Sequence, residues 1–129
     1  MTPASHFILY VADQARSTAF YTAVLAIKPR LHVPGMTEFD LPGGGVLGLM
    51  PEQGIRNLLG AAVPDPAAAH GLPRAELYLV LAEPGDYLAR ALAAGARELS
   101  PMLPRDWGHV AAYSLDPDGH ALAFASSAA

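Results

Sequence analysis

Cysteine is absent from the chain, and charge is scarce. None of the 129 residues is a cysteine, which excludes disulfides, thiolate metal ligands and cysteine nucleophiles. Charged residues make up only 16% of the chain, and the formal net charge is −4 at pH 7. Because no basic run is present to neutralise phosphate groups, we expect no nucleic-acid partner.

Long apolar runs are also missing, although 52% of the residues are hydrophobic. No segment approaches the roughly 20 apolar residues of a membrane span, so we expect no membrane partner. The apolar run 7–12 has no basic region before it and no small-residue cleavage site after it, unlike an export signal. Together with the missing cysteines, these features predict a cytoplasmic protein. The length suits one domain, or two small halves that share one core.

The first half of the chain shows a strand, a helix and three further strands. Residues 6–12 are rich in β-branched and aromatic side chains, which predicts a strand. Asp13 stands where a helix N-cap would, apolar residues recur at helical spacing between Gln14 and Ile27, and Pro29 follows as a stop. The strand candidates that follow lie at about 29–33, 36–41 and 45–50.

The second half repeats this order. Residues 76–82 form a strand candidate, and Pro84 suits the first turn of a helix that continues to Gly95. Further strand candidates lie at about 97–103, 109–115 and 120–125. Few identities link the halves, so the repeat is one of pattern. We predict a single α+β domain of two β-α-β-β-β modules, at about 1–52 and 75–126, in which the sheets are curved and mixed.

The connector, at about 53–74, is long for a segment without structure in a compact domain. We therefore predict a short helix from Gln53 to Leu59, with the true linker from Ala61 to Gly71.

The C-terminal region carries the most specific motif of the chain. Trp107 and Gly108 precede a strand that contains Tyr113, and the sequence D-P-D-G follows at 116–119. Asp side chains can bond the backbone two residues on, Pro presets φ and Gly accepts a positive φ, so these four residues predict a tight turn. His120 follows the turn and is expected to be exposed.

Three features together resemble the vicinal oxygen chelate superfamily, which contains glyoxalase I, the bleomycin-resistance proteins and extradiol dioxygenases. They are the repeated module, the pair Phe20-Tyr21 followed by Val24-Leu25, and the ending W-G-x4-Y…D-P-D-G. One departure is Ala26, where the family usually has Gly. The resemblance implies that each module is a curved sheet backed by its helix. It also implies that two modules enclose a cleft, within one chain or across a homodimer.

The resemblance also indicates where a metal ion would bind. Metal-dependent members use four side chains from the first and fourth strands of the two modules, commonly two His and two Glu. Strand alternation in the first strand should pack Phe7, Leu9 and Val11 on the helix and leave His6 toward the cleft. Applied to the other strands, alternation assigns the four ligand positions to His6, Gly48, Glu76 and Ala123.

Two of these four positions have lost their carboxylates. Catalytic zinc sites typically use three protein ligands, so we predict no metal centre, and if a metal binds, its ligands would be His6 and Glu76. The small residues at positions 48 and 123 favour a pocket for an organic ligand, although packed side chains or a subunit contact could fill the cleft instead. The predicted ligand-binding residues are His6, Tyr10, Met50, Glu76, Tyr78, Trp107, His109 and Tyr113.

Trp107 and Glu38 each have two interpretations. Trp107 is either an aromatic lid on the pocket or a ring packed at the module edge. Glu38 and Asp40 are expected to form a solvated face, with Glu38 as a possible substitute carboxylate for the cleft. Family members often have Arg where Val110 stands, so an anion anchor is missing at that position.

The sequence leaves three functions open. The first is a homodimeric binding protein of the glyoxalase/bleomycin-resistance type that captures an apolar or aromatic small molecule without a cofactor. The second is a lyase, isomerase or dioxygenase that uses His6, Glu76 and Glu38 around one divalent metal ion as a Lewis acid. The third is a metal-free enzyme in which His6 and Glu76 move protons.

Overall fold

Two four-stranded mixed sheets, each accompanied by helices, give the chain an α+β fold, as the sequence predicts. The computed structural model describes residues 2–127, which divide into two compact units. The first unit comprises the described residues through Thr22 together with Ala26–His70. The second comprises Ala23–Leu25 and the described residues from Gly71 onward. Across residues 2–127, every helix is too short or too polar to cross a lipid bilayer.

The sheet of the first unit has the strand order β1-β4-β3-β2, in which β1 pairs parallel with β4 and the other pairs are antiparallel. Its strands are β1 (His6–Val11), β2 (Leu31–Val33), β3 (Met36–Asp40) and β4 (Val46–Pro51). Helix α1 (Gln14–Leu25) follows β1, and helix α2 (Glu52–Leu59) follows β4. Two 3₁₀ turns, Gly60–Ala62 and Pro66–Ala69, lie in the connector beyond α2.

The sheet of the second unit repeats this topology with the order β5-β8-β7-β6 and a parallel β5–β8 pair. Its strands are β5 (Glu76–Val80), β6 (Arg97–Pro104), β7 (His109–Leu115) and β8 (Ala121–Ser127). Helix α3 (Pro84–Ala93) follows β5. Every strand and helix that the sequence predicts is therefore present, and so is the short helix in the connector.

Helix α1 begins and ends where local chemistry requires it. The Asp13 side chain accepts a hydrogen bond from the backbone N–H of Arg16 at 3.0 Å, as a helix N-cap does. The helix stops at Leu25, two residues before the predicted end, because Ala26 adopts a left-handed conformation with φ 55° and ψ 37°. Glycine usually occupies such a position, since a Cβ makes this conformation unfavourable.

The core differs from the predicted one on the first strand, at Phe7. Leu9 and Val11 are buried as predicted, but Phe7 is 64% exposed, because it lies at the start of an edge strand beyond the reach of the core. Ala15 and Ala19 are exposed as well. The buried face of α1 is instead made of Ser17, Thr18, Phe20, Tyr21, Val24 and Leu25.

A buried hydroxyl pair explains why polar residues belong to this face of α1. The Oγ1 atoms of Thr18 and Thr37 lie 2.9 Å apart, which joins the helix to β3. Gln14 donates from Nε2 to Thr37 Oγ1 at 3.0 Å, and its Oε1 accepts from Gly35 N at 3.1 Å. Buried polar groups that find partners in this way cost little to bury.

The turn between β7 and β8 forms as predicted. The Asp116 side chain accepts backbone hydrogen bonds from Asp118 and His120, both at 2.9 Å. A Cβ at Gly119 would collide with the backbone carbonyl of Gly71, so the connector passes directly against this turn.

The expected exposure of His120 is wrong, because its side chain is only 3% exposed. The Arg74 guanidinium lies across it, with Nη2 placed 3.1 Å from His120 Nε2. Arg74 also donates to the Leu72 carbonyl at 2.8 Å, which holds the end of the connector in place.

Replacing Ala26 with Gly should stabilise the protein. Glycine relieves the left-handed strain at φ 55°, and the gain should exceed its entropic cost, leaving about 0.5–1 kcal/mol in the free energy of unfolding. Ala94→Gly is the matched control, because Ala94 also ends a helix but has φ −85°. We expect that variant to be destabilised by a similar amount. Urea unfolding of both variants measures the two effects, and equal destabilisation would contradict the argument.

Candidate functional site

Three of the predicted site residues share one face of the first sheet. Side chains of directly paired residues lie on the same face. His6 pairs with Val46, and Tyr10 pairs with Met50. Because His6 and Tyr10 are separated by an even number of positions on β1, the side chains of His6, Tyr10 and Met50 point to the same side.

A charged cluster lies on this face. Glu38 Oε2 is 3.5 Å from His6 Nδ1, and Glu38 Oε1 is 3.5 Å from Arg30 Nε. Arg30 also reaches Asp40, at 3.1 Å. The Glu38 side chain is only 16% exposed, whereas that of Asp40 is 69% exposed. The predicted solvated face is therefore correct for Asp40 and wrong for Glu38, which turns toward His6.

The space above Gly48 is occupied. Gly48 pairs with Ile8 on one side and with Glu38 on the other. A Cβ at position 48 would collide with Ile8 Cδ1 and would lie 3.3 Å from Met36 Sδ. The missing side chain at this position therefore accommodates Ile8 and does not open a pocket, contrary to the expectation from the sequence.

The donors on the two sheets do not fit the metal centre of the metal-dependent family members. Within residues 2–127, no three His, Asp or Glu side chains cluster closely enough to hold an ion. On the first sheet His6 and Glu38 form a donor pair, and Arg30 lies 3.5 Å from the same carboxylate as a competing cation. On the second sheet Glu76 pairs with Ala121, which has no donor side chain, and Ala123 is fully buried. A catalytic zinc site would need three ligands.

The other five predicted site residues belong to the second unit. Tyr78, Ala123 and Tyr113 are cross-strand neighbours on β5, β8 and β7, so the two tyrosines lie on one face with Ala123 between them. Glu76 and His109 share this face, because each lies an even number of positions from a tyrosine on its own strand. Ala123 is 0% exposed.

Tyr78, Trp107 and His109 form what we call the aromatic cluster. Tyr78 Oη lies 2.6 Å from His109 Nδ1 and accepts a hydrogen bond from Trp107 Nε1 at 2.8 Å. The Tyr78 and His109 rings are stacked, with centroids 5.7 Å apart and an interplanar angle of 27°. Trp107 lies 6.5 Å from the Tyr78 ring and remains 57% exposed. Trp107 is therefore partly exposed and fixed to Tyr78, and both interpretations of its ring, as a lid or as an edge packed on the module, stay open.

Arg105 is a member of this region that the sequence analysis missed. Its guanidinium donates to the Ala111 carbonyl through Nε at 3.1 Å and Nη2 at 2.8 Å, and to Ser100 Oγ at 2.8 Å. It also lies over the Tyr113 ring, 5.0 Å from the centroid. Strand β6 is irregular opposite it, with register shifts on both sides of Ser100. Arg105 itself lies in the loop between β6 and β7, two residues before Trp107.

The pKa of the Tyr113 hydroxyl is raised above its ordinary value of 10.0. Burial is the main cause, because it penalises the phenolate. The negative charge of Glu76 and the neighbouring Tyr78 act in the same direction, and the Arg105 cation opposes them. Tyr113 therefore stays a neutral phenol, and a hydrogen-bond donor, over the whole physiological pH range.

Comparisons with known proteins agree with the predicted resemblance. The model of the glyoxalase/bleomycin resistance protein/dioxygenase superfamily matches residues 4–124. A search of curated proteins found no significant match.

Several solved structures share the fold. A glyoxalase/bleomycin resistance protein/dioxygenase from Nocardioides is 24% identical, with a TM-score of 0.76 over 98% of this chain and 84% of its own. A glyoxalase-related enzyme from Fulvimarina pelagi is 23% identical, with a TM-score of 0.77 over 98% of this chain and 89% of its own. A family enzyme from Burkholderia phytofirmans PsJN is 17% identical, with a TM-score of 0.79 over 95% of this chain and 97% of its own.

Replacing Tyr113 with Phe should remove the tyrosine whose pKa is raised. In a native absorbance titration, the difference between wild type and Tyr113→Phe should have its midpoint above 10.0, because the folded pKa is raised. In denaturant the same difference should titrate near pH 10, the ordinary value. A native midpoint at or below that of the denatured proteins would contradict the assignment.

The same shift predicts a stability effect at high pH. A raised folded pKa means that the stabilisation is complete below the unfolded pKa of 10.0 and is lost as the pH rises through the folded pKa. The unfolding free energy of the wild type should therefore fall above pH 10.0 more steeply than that of Tyr113→Phe.

Proposed function

Because the chain belongs to the glyoxalase/bleomycin resistance protein/dioxygenase superfamily, we propose that it is a small-molecule-binding protein. It captures an apolar or aromatic ligand and uses no metal ion. The observation that carries this proposal is the aromatic cluster, in which two hydrogen bonds hold three rings together while residue Trp107 stays 57% exposed.

The cluster supports binding because its rings are ordered before a ligand arrives. The only polar atom of the Trp107 side chain, Nε1, donates a hydrogen bond to Tyr78. A ligand that covers the indole therefore leaves no donor unpaired. An aromatic ring fixed in this way loses little conformational entropy on binding. Val80 adds an apolar surface on the same face of β5 and is 53% exposed. Stacking on such rings favours a planar, apolar ligand.

The donor chemistry of the two sheets speaks against the metal-dependent alternative. The first sheet has a His–Glu pair beside an arginine, and on the second sheet Glu76 pairs with Ala121, which has no donor side chain. Elemental analysis of protein purified without chelators separates the two functions. One divalent ion per chain, with loss of that ion in His6→Ala, would overturn the binding proposal in favour of a metal enzyme.

We expect aromatic compounds to bind and to change the fluorescence of Trp107, the only tryptophan in the chain. A panel of bicyclic aromatics and aromatic glycopeptides, titrated by fluorescence and by calorimetry, tests this. Because one aromatic contact is worth about 0.5–1.5 kcal/mol, Trp107→Ala should weaken binding by about two- to tenfold in calorimetry. Phe7→Ala removes an equally exposed aromatic ring from the first unit and should leave the affinity unchanged. Failure of the whole panel to bind would refute the proposal.

The protein is further proposed to be a homodimer. Ile8, Leu31 and Val33 lie on one face of the first sheet and are 37%, 38% and 44% exposed. Grouped apolar side chains of this kind are typical of protein contacts, and a two-fold symmetric contact would cover the patch on both copies.

Sedimentation equilibrium should give twice the chain mass of 13.5 kDa. Leu31→Glu should shift the protein toward the monomer, because it buries a charge in the contact. Leu58→Glu is the matched control, since Leu58 is 68% exposed on α2, outside this sheet face, and should leave the mass unchanged. A monomeric wild type would contradict the proposal.

A further inference from the structure

The hydrogen bond between Trp107 and Tyr78 has a definite direction, which limits the direction of the bond between Tyr78 and His109. An indole nitrogen can only donate, so Tyr78 Oη accepts the bond from Trp107. The phenol then retains its own proton as a donor. The 2.6 Å distance to His109 Nδ1 is that of a short hydrogen bond, and Nδ1 is the only acceptor described for this proton among residues 2–127.

The opposite direction would leave a proton without a partner. If His109 donated from Nδ1, Tyr78 Oη would receive two N–H bonds, and its own O–H would point to no acceptor within the described part of the chain. A partly buried donor in that state is costly. Neutral imidazole carries one proton, so acceptance at Nδ1 places that proton on Nε2. The Nε2–H group bonds no other group within residues 2–127.

We propose that the His109 Nε2–H group is the polar recognition element of the ligand site, and that the ligand is a planar aromatic compound with a neutral carbonyl oxygen. This inference rests on the proposed function and adds the substrate class to it. The aromatic cluster stacks on the ring of the ligand, and Nε2–H donates to the carbonyl. Tyr78 acts as a positioning residue, because its proton decides which imidazole nitrogen is the donor.

The surrounding charges favour a neutral acceptor over an anion. Glu76 lies on the same sheet face as Tyr78, and its negative charge already raises the pKa of Tyr113. The Arg105 guanidinium is the nearby cation, but its Nε and Nη2 atoms are engaged by Ala111, Ser100 and Pro101. The net charge of the chain is also negative. A carboxylate placed against His109 would therefore meet repulsion with little compensation.

The first experiment tests the tautomer without any ligand. Protein labelled with ¹⁵N-histidine is studied by long-range ¹H–¹⁵N NMR at about pH 8.5, above the ordinary titration range of histidine. The signals that disappear in His109→Phe belong to His109. We expect a bare Nδ1 and a protonated Nε2, with a mixture of tautomers in Tyr78→Phe. A protonated Nδ1 in the wild type, or no change in Tyr78→Phe, would overturn the inference.

The second experiment compares two ligands of the same shape by equilibrium dialysis. 2-Acetylnaphthalene carries a carbonyl, and 2-isopropenylnaphthalene replaces its oxygen with a CH₂ group. We expect the ketone to bind about three- to tenfold more tightly, as one hydrogen bond allows, although the alkene is more apolar. His109→Phe should abolish this preference, whereas His32→Phe, at an exposed position of the first unit, should preserve it.

The dialysis distinguishes a failure of this inference from a failure of the proposed function. Equal affinities for ketone and alkene, or a preference that survives in His109→Phe, would overturn this inference and leave the proposed function intact. Binding by neither compound would overturn the proposed function and the inference with it. Tighter binding of 2-naphthoate than of the ketone would show an anion site and would refute the neutral ligand class.

Discussion

Parallel pairing between the first and last strands of each unit determines which side chains share a face. Strand β1 pairs with β4, and β5 pairs with β8, in corresponding positions of the two sheets. This register places Ile8 beside Gly48 and Tyr78 beside Ala123. A slip by one residue would turn every side chain of the strand to the opposite face. The charged cluster and the aromatic cluster both depend on this register.

The two sheets share one topology but present different side chains on their surfaces. On the first sheet, the strand pairing brings Glu38 close to His6 and Arg30, and the three side chains form a small ion-pair network. On the second, it brings aromatic side chains around Ala123, with Trp107 added from the preceding loop. At position 48 the side chain of Ile8 occupies the space that a Cβ would need, and Ala123 is fully buried.

The fold was predictable because its signals are local. Apolar spacing marks the helices, turn residues such as those at 116–119 mark the strand ends, and the repeated module identifies the family. The expectations that proved wrong concern the environment of a side chain. His120 is buried because Arg74 crosses it, and Gly48 opens no pocket because Ile8 fills the space. No sequence pattern indicates the contacts of Arg105, because its partner Ser100 lies between two register shifts in β6.

The sequence by itself determined the order of the elements and the superfamily, since both depend on residue types at known spacing. Only the tertiary structure decided how the retained residues combine. Tyr78 meets Trp107 and His109 across 29 and 31 positions of chain. Such contacts arise from the pairing of distant strands, and no local pattern encodes them. The same pairing brings the Tyr78 hydroxyl within 2.6 Å of His109 Nδ1, a contact that the residue types alone do not predict.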